Sequence, residues 1–589
     1  MCIHPICMAL QKDDRRFSLS NIYFSFIQRR KTSDRFLCNL ALVAVLLSSL
    51  YVIFSINSFY VTSIPTTGGT IVEGIIGTPR FVNPVLAINR ADHDMTALIY
   101  SGLLKLDENG SLVNDVAESI ELSEDGLTYN IKIRKDILFH NGMELKTRDL
   151  AYTIALIQNP DLKSPLRGNW DGVRVEELDD YELNIILEEA YTPFVENLTL
   201  GILPRELWDG LPIEQIPFSQ NNTEPVGTGP YKVTDVLRNK SGLINAYELS
   251  AFNDSEHKPN ISTLVFNFYQ NEEDLLEALN NKKIASTPSL SPENFQRIDA
   301  DEYQIIQNPL PRTFAIYFNQ NKSVVLRDES ARKALSIAID RQKLVDTVLY
   351  GYGIPTESPV PTGFLTVESA SSTENKITDE VTLIEKAKII LVAGGWRITD
   401  SGTWEKEIDK SVTTLTVSIT TANSPLFDKT TTQISETWKK LGVEVNVSQF
   451  EQTDLVQAII RPRDFEALLY GADIGRQTDL YPFWHSSQKN DPGLNIAQYT
   501  NIDVDTLLKR TRTQNNEELR SETIHKIEEI IKKETPAVFL FVPIFGYVLD
   551  KDVTVTPFTK LSTQSERFAN VSSWHIQSNN LWPIFSNKK

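Results

Sequence analysis

At 589 residues the chain is too long for a single hydrophobic core, so two or more lobes are expected. Hydrophobic residues at 41% and charged residues at 23% give an ordinary globular balance, which excludes a mostly disordered or multi-span protein. The net charge of −19 divides unevenly: residues 1–60 hold seven bases and three acids, leaving −23 on the remainder. So acidic a body repels phosphate backbones and makes nucleic acid a poor partner. The three cysteines (Cys2, Cys7 and Cys38) all precede or enter the first apolar run. Disulfides, thiolate metal sites and cysteine nucleophiles are therefore excluded from the body.

Reading along the chain, residues 1–35 form a basic N-terminal segment. Residues 36–58 then form a transmembrane anchor or signal segment, because no charge occurs from Phe36 to Val72 and Leu37–Ile56 can cover about 30 Å as a helix. Arg29, Arg30, Lys31 and Arg35 flank its start, which keeps that side cytoplasmic and puts the acidic body outside. The length of the run favours an uncleaved anchor over a cleaved signal peptide. Residues 59–70 read as a linker containing Pro65, Gly68 and Gly69.

In the body, Leu127–Arg134 alternates as a strand after the Asp125-Gly126 turn. Asn141-Gly142 marks a second turn, and Thr147 is expected to cap a helix carrying Leu150, Ile154 and Ile157. Further on, the spacing predicts a strand at Phe314–Phe318, one helix across Asp328–Leu349 closed by Gly351, and a helix at Val381–Val392. Strands at Leu415–Ile419, Val443–Val447 and Ala467–Tyr470 alternate with helices through Ile434, Trp438 and Leu441 and through Leu455 and Ile459. Val538–Val542 reads as a buried strand ended by Pro543. This alternation predicts an α/β lobe with a largely parallel sheet.

No nucleophile elbow, phosphate loop or H-E-x-x-H pair is present. The histidines of the body (His93, His140, His257, His485, His525 and His575) are scattered without metal-ligand spacing. No metal or cofactor is expected. With 74 acids in the body, adjacent carboxylates such as Glu176-Glu177 and Glu528-Glu529 arise by chance and read as solvated faces. The aromatics Tyr470, Tyr481, Phe483 and Trp484 are more informative, because they bracket the acidic loop Asp473–Asp479 just beyond a strand end. Ligands of open α/β sheets bind at such ends. A carboxylate with aromatic walls suits an ammonium group, with about 0.5–2 kcal/mol added by the π faces. Core aromatics beside a surface Asp fit the same spacing.

Several stretches, in order, resemble the bacterial extracellular solute-binding proteins of family 5, which serve peptide ABC importers. Leu122–Ile154 is similar to the family's N-terminal signature, Gly227–Tyr231 (GTGPY) to its central motif, and Arg332–Gly351 to its R-x-A-l…A-i-D-R helix. Ala387–Trp396 and Asn495–Leu508 fit later blocks. The resemblance implies a two-lobed clamp of the periplasmic-binding-protein type with an extra subdomain. Lobe I would span residues 71–310 and 539–589, lobe II residues 311–538, with a hinge of two crossovers that closes on ligand. It implies capture of oligopeptides in extended form and delivery to ABC permease subunits by a non-catalytic monomer. Alternatives are a binding protein for oligosaccharide or another solute and, further off, a surface hydrolase.

In peptide-binding members an Asp pairs with the peptide's ammonium. The resemblance puts Asp473 in that role and Tyr470 as the aromatic three residues before it, with Asp479 as the alternative acid; Trp484, from the aromatic bracket around the loop, is a further candidate contact. The family's usual Asp-Pro is replaced around Arg476–Thr478.

Overall fold

The protein is described here from a computed structural model covering residues 31–60, 62–252, 258–361, 363–364 and 379–581. Cys2, Cys7, His257 and most of the basic N-terminal segment lie outside the described residues. The described residues fall into two compact units, those up to Thr66 together with Ser578–Leu581, and those between Thr67 and Gln577.

In the first unit a helix, Thr32–Tyr60, contains the 20-residue stretch Phe36–Ser55, long and apolar enough to cross a membrane. Its large side chains, among them Leu37, Leu46, Leu50 and Ile53, stand exposed. Such a helix suits an anchor or a signal segment. The strand Thr62–Pro65 follows and pairs antiparallel with Ser578–Leu581.

The second unit is organised by one long strand, Ala537–Asp550, which serves two sheets in turn. Its first half pairs antiparallel with Arg312–Phe318, with Phe541 opposite Phe314. Its second half pairs with Tyr303–Pro309, with Ile544 opposite Pro309 and Asp550 opposite Tyr303. The partner therefore changes at Leu310-Pro311 on one strand and Val542-Pro543 on the other. Pro543 has no N–H to give, and it sits between the two ladders of that edge; on the other edge the strand stays paired, with Pro543 opposite Gly353. The strand continues through Pro543 instead of ending there, because the break in pairing absorbs the missing donor.

Beyond this double crossing lie two lobes. One holds the strands Tyr231–Arg238, Ile244–Ala251, Thr263–Tyr269 and Thr70–Ile76, the last two parallel to each other. It also carries a separate antiparallel sheet of Ala117–Leu122, Thr128–Ile133, Glu182–Ile186 and Arg174–Glu177. Tyr129, Ile131 and Ile133 face its core, as their alternation predicts. The other lobe holds Glu444–Phe450, Thr416–Ala422, Ala467–Asp473 and Arg312–Phe318 in that order. The first three are mutually parallel, but Arg312–Phe318 is antiparallel to both its neighbours. The sheet is thus mixed, not largely parallel. One crossing strand must leave the first lobe and the other return to it, so the crossing pair runs in opposite directions.

Two local expectations also change. The helix after the Asn141-Gly142 turn begins at Thr147, but Lys146 is its cap residue, and the Asp149 carboxylate accepts from the Lys146 N–H at 2.9 Å. The helix predicted across Asp328–Leu349 is two, Glu329–Ile337 and Arg341–Val348. The Asp340 side chain caps the second by accepting from the Lys343 N–H at 3.0 Å, which offers the backbone an alternative to continuing the first helix.

Candidate functional site

The strand Ala467–Asp473 is buried through Leu468 and Leu469 and emerges at its carboxyl end with Asp473. There Asp473 lies opposite Arg312 in the ladder, and their side chains form a 3.1 Å ion pair, each 45% exposed. Tyr470 is half-buried and packs on the aromatic cluster below. Gly475 then turns the chain at φ +68°, and the loop reaches the opposite lobe.

Arg476 carries that contact. Its side chain is 10% exposed, and Nη1 donates to the Gly110 carbonyl at 2.8 Å. Nη2 pairs with the Glu566 carboxylate, and Glu196 lies 4.0 Å from Nε. Burial pushes the Glu196 carboxyl up to about 7 although Arg476 pulls it down, and burial raises Glu566 in the same way. Behind Arg476, the guanidinium of Arg520 grips the Gln477 side chain and carbonyl.

Asp479 accepts from Arg512 at 2.7 and 3.1 Å and from the Tyr191 hydroxyl at 3.0 Å. Its side chain is 10% exposed. Arg512 also lies over the rings of Tyr191 and Tyr481, 4.9 and 4.0 Å from their centroids. Trp484 is 2% exposed and packs among Tyr317, Tyr499 and Phe539. The acidic loop therefore divides its labour. Asp473 meets solvent, Arg476 meets the other lobe, and Asp479 with Trp484 anchors the loop from behind. Trp484 was expected at a ligand; its ring is instead enclosed by protein, because the short helix that carries it turns inward beneath the sheet.

Next to this loop a cavity of about 1260 Å³ opens. Its wall comes almost wholly from the first lobe and includes Tyr100, Lys105, Asp115, Arg134, Glu196 and Glu566, with Arg476 reaching in from the second. Tyr470, Asp473, Asp479 and Trp484 are not among the residues lining it. The wall mixes both charge signs, as in the 3.1 Å Lys105–Asp115 pair. Sequence reasoning passed over Glu196 and Glu566, which come from distant segments without a shared motif. Arg476 carried a signal, since it stands where the loop departs from the expected Asp-Pro.

Two quoted motifs meet beside the cavity. The His140 Nε2–H donates to the Gly229 carbonyl at 3.0 Å, and its main-chain N–H donates to the Gly227 carbonyl at 2.8 Å. Burial holds its pKa down at about 4. A Cβ at Gly227 would fall 2.0 Å from the Ile99 carbonyl oxygen, and one at Gly229 2.5 Å from that of Leu98. The glycines of GTGPY thus let this segment lie against the end of the helix Arg90–Ile99.

Residues 111–492 match the family model for bacterial extracellular solute-binding proteins, family 5. The chain belongs to this family. Among family 5 relatives, the oligopeptide-binding protein AppA of Bacillus subtilis is 28% identical over 540 residues, covering 88% of this chain and 94% of that protein. The dipeptide-binding protein of Escherichia coli is 21% identical over 511 residues, covering 80% and 91%. The solved structure of AppA from Bacillus subtilis in complex with a nonapeptide aligns with a TM-score of 0.65 at 25% identity, over 87% of this chain and all of that one. The substrate-binding protein CtaP from Listeria monocytogenes shares the fold, with a TM-score of 0.71 at 23% identity over 87% of this chain. The two-lobed architecture is that of family 5, whose members named here are solute-binding proteins.

Proposed function

We propose that this protein captures oligopeptides between its lobes and delivers them intact to the permease of an ABC importer. It acts as a monomer, held to the membrane by its N-terminal helix with the body on the extracytoplasmic side. The observation that carries this reading is the two-lobed architecture shared with the AppA structure in complex with a nonapeptide, in which the loop Asp473–Asp479 leaves a strand end of one lobe and reaches the other; beside that loop the first lobe opens a cavity of about 1260 Å³, lined from the second lobe by Arg476. That volume exceeds the roughly 300–1,000 Å³ typical of small-ligand pockets, and suits an extended ligand of several residues. A wall of both charge signs suits a zwitterion. The peptide-binding relatives support the same ligand class.

Asp473 is the proposed partner of the ligand's ammonium, with Tyr470 beside it. It is exposed enough to exchange its bond with Arg312 for one to ligand, whereas Asp479 is fully engaged. The hinge is proposed at residues 310–311 and 542–543, where the strand pairing changes, close to the boundaries the resemblance implies.

The test is to incubate the purified protein with a mixed peptide library and identify by mass spectrometry what stays bound. Intact peptides support the proposal, retained glycans point to another solute, and cut peptides to a hydrolase. For Asp473→Ala the expected loss of affinity for a retained peptide is about tenfold to a hundredfold, or ~1–3 kcal/mol for one exposed charge-assisted contact. Unchanged calorimetric affinity would remove Asp473 from the site.

A further inference from the structure

Among the described residues several contacts join the two lobes: the rings of Phe295 and Tyr352 meet near the crossing strands, 4.6 Å between centroids, and the polar contacts differ in strength. Lys429 and Glu293 pair at 2.6 Å but both are well exposed, so water and salt reduce their pairing to little. Thr192 donates to Asn515 at 2.9 Å, again at the surface. The Tyr191 hydroxyl donates to Asp479 at 3.0 Å, but Arg512 of the same lobe already neutralises that carboxylate. Arg476 stands apart. It is nearly buried, it belongs to the second lobe, and its partners Gly110, Glu196 and Glu566 all belong to the first.

From this ranking we propose that Arg476 is a positioning residue, a clasp that forms where the lobes meet and sets the share of molecules whose cleft is assembled. Opening the lobes separates the guanidinium from both carboxylates and from the Gly110 carbonyl at once. Because these groups sit in one poorly hydrated place, the pairing is stronger than any of the exposed contacts. A ligand that binds the closed form then meets a larger competent population, and its apparent affinity rises by that fraction. The Nε atom faces Glu196 at 4.0 Å, beyond hydrogen-bond reach, so Glu566 is the stronger of the two acidic partners. The proposal concerns control of the cleft described above. It rests on the two-lobed capture reading but not on the ligand's being a peptide.

The body contains no cysteine, which makes the experiment direct. Donor and acceptor dyes are placed at the exposed positions Lys240→Cys and Lys410→Cys, one on each lobe, in the full chain with Cys2, Cys7 and Cys38 replaced by Ser. Single-molecule energy transfer is then recorded in detergent without ligand. The expected result is a resolved high-transfer population that shrinks in Arg476→Ala, with the closed-to-open ratio falling by roughly tenfold or more. Glu566→Gln should shift it in the same direction, and Arg476→Lys should recover part of the effect by restoring a charge without the fork. A residue that only stabilised its own loop would lower the melting temperature without moving the transfer distribution. Folded Arg476→Ala and Glu566→Gln proteins with the parental distribution would overturn the clasp. A failure to retain peptides would overturn only the ligand class.

Discussion

Replacing Arg567 by Met should destabilise the protein more than the removal of a surface charge could. Arg567 is 0% exposed. It forks onto Asp94 at 2.8 and 2.7 Å and reaches Glu73 at 2.5 Å, with its guanidinium 4.0 Å from the Phe568 ring centre. Glu73 also accepts from the Tyr547 hydroxyl at 2.7 Å and from Ser286 at 3.0 Å. One cation thus serves two buried carboxylates, and burial already raises the Glu73 pKa. Met fills the stem's volume but leaves both acids without a counter-charge, for which about 3–5 kcal/mol is expected. That is a large share of a total stability of roughly 5–15 kcal/mol. The sign of the pH response follows. Burial holds the Glu73 pKa above its unfolded value and Arg567 pulls it down, so without the cation it rises further; the variant loses stability as pH rises through that raised value and recovers it as Glu73 takes up a proton. Guanidinium unfolding followed by tryptophan fluorescence at pH 7.5 and pH 5 measures both effects. The triple variant Glu73→Gln, Asp94→Asn, Arg567→Met should recover part of the loss, since it leaves no buried charge. A single-variant loss below about 1 kcal/mol at pH 7.5, or a deficit that grows on acidification, would refute this account of the cluster.

Two other outcomes follow from the site's surroundings. His140 is held neutral by burial, with its pKa down at about 4. The stability this contributes is complete above about 6.5 and lost as pH falls toward 4; by linkage the excess loss relative to His140→Gln should approach ~3 kcal/mol, and parallel pH–stability curves would contradict it. Trp484→Ala should cost about 3–5 kcal/mol in denaturant unfolding, with Trp484→Phe costing much less; a near-neutral Ala variant would mean that the ring does not fill the core.

How far the sequence could be read depended on the range of the interactions involved. The apolar helix, the alternating strand Thr128–Ile133 and the end of the helix Pro425–Leu441 at Gly442, φ +94°, follow from periodicity and local backbone preference, which neighbouring residues settle among themselves. The order of quoted motifs was enough to place the chain among two-lobed binding proteins. Pro543 shows the limit. Read locally it ends a strand, but in the fold the strand passes through it because the partner changes there. The break at Asp340 is similar, a capping choice that helical periodicity alone does not reveal.

The site divides along the same line. Asp473 and Tyr470 could be singled out because they sit at a strand end within a recognisable segment, and their contact with ligand is what the Asp473→Ala measurement tests. Glu196 and Glu566 meet Arg476 across 280 and 90 positions of chain, and no local pattern encodes such a meeting. Trp484 shows the converse, since an aromatic at a loop looks the same in sequence whether it faces a ligand or a core. Composition, charge and hydrophobic rhythm thus settled the anchor-like helix, the acidic cysteine-free body and its α/β elements, because short-range sterics and solvation act on adjacent residues. Which carboxylates share a guanidinium, and which aromatic rings are walled in, only tertiary packing decided, because those energies exist only once distant segments have excluded water from between them.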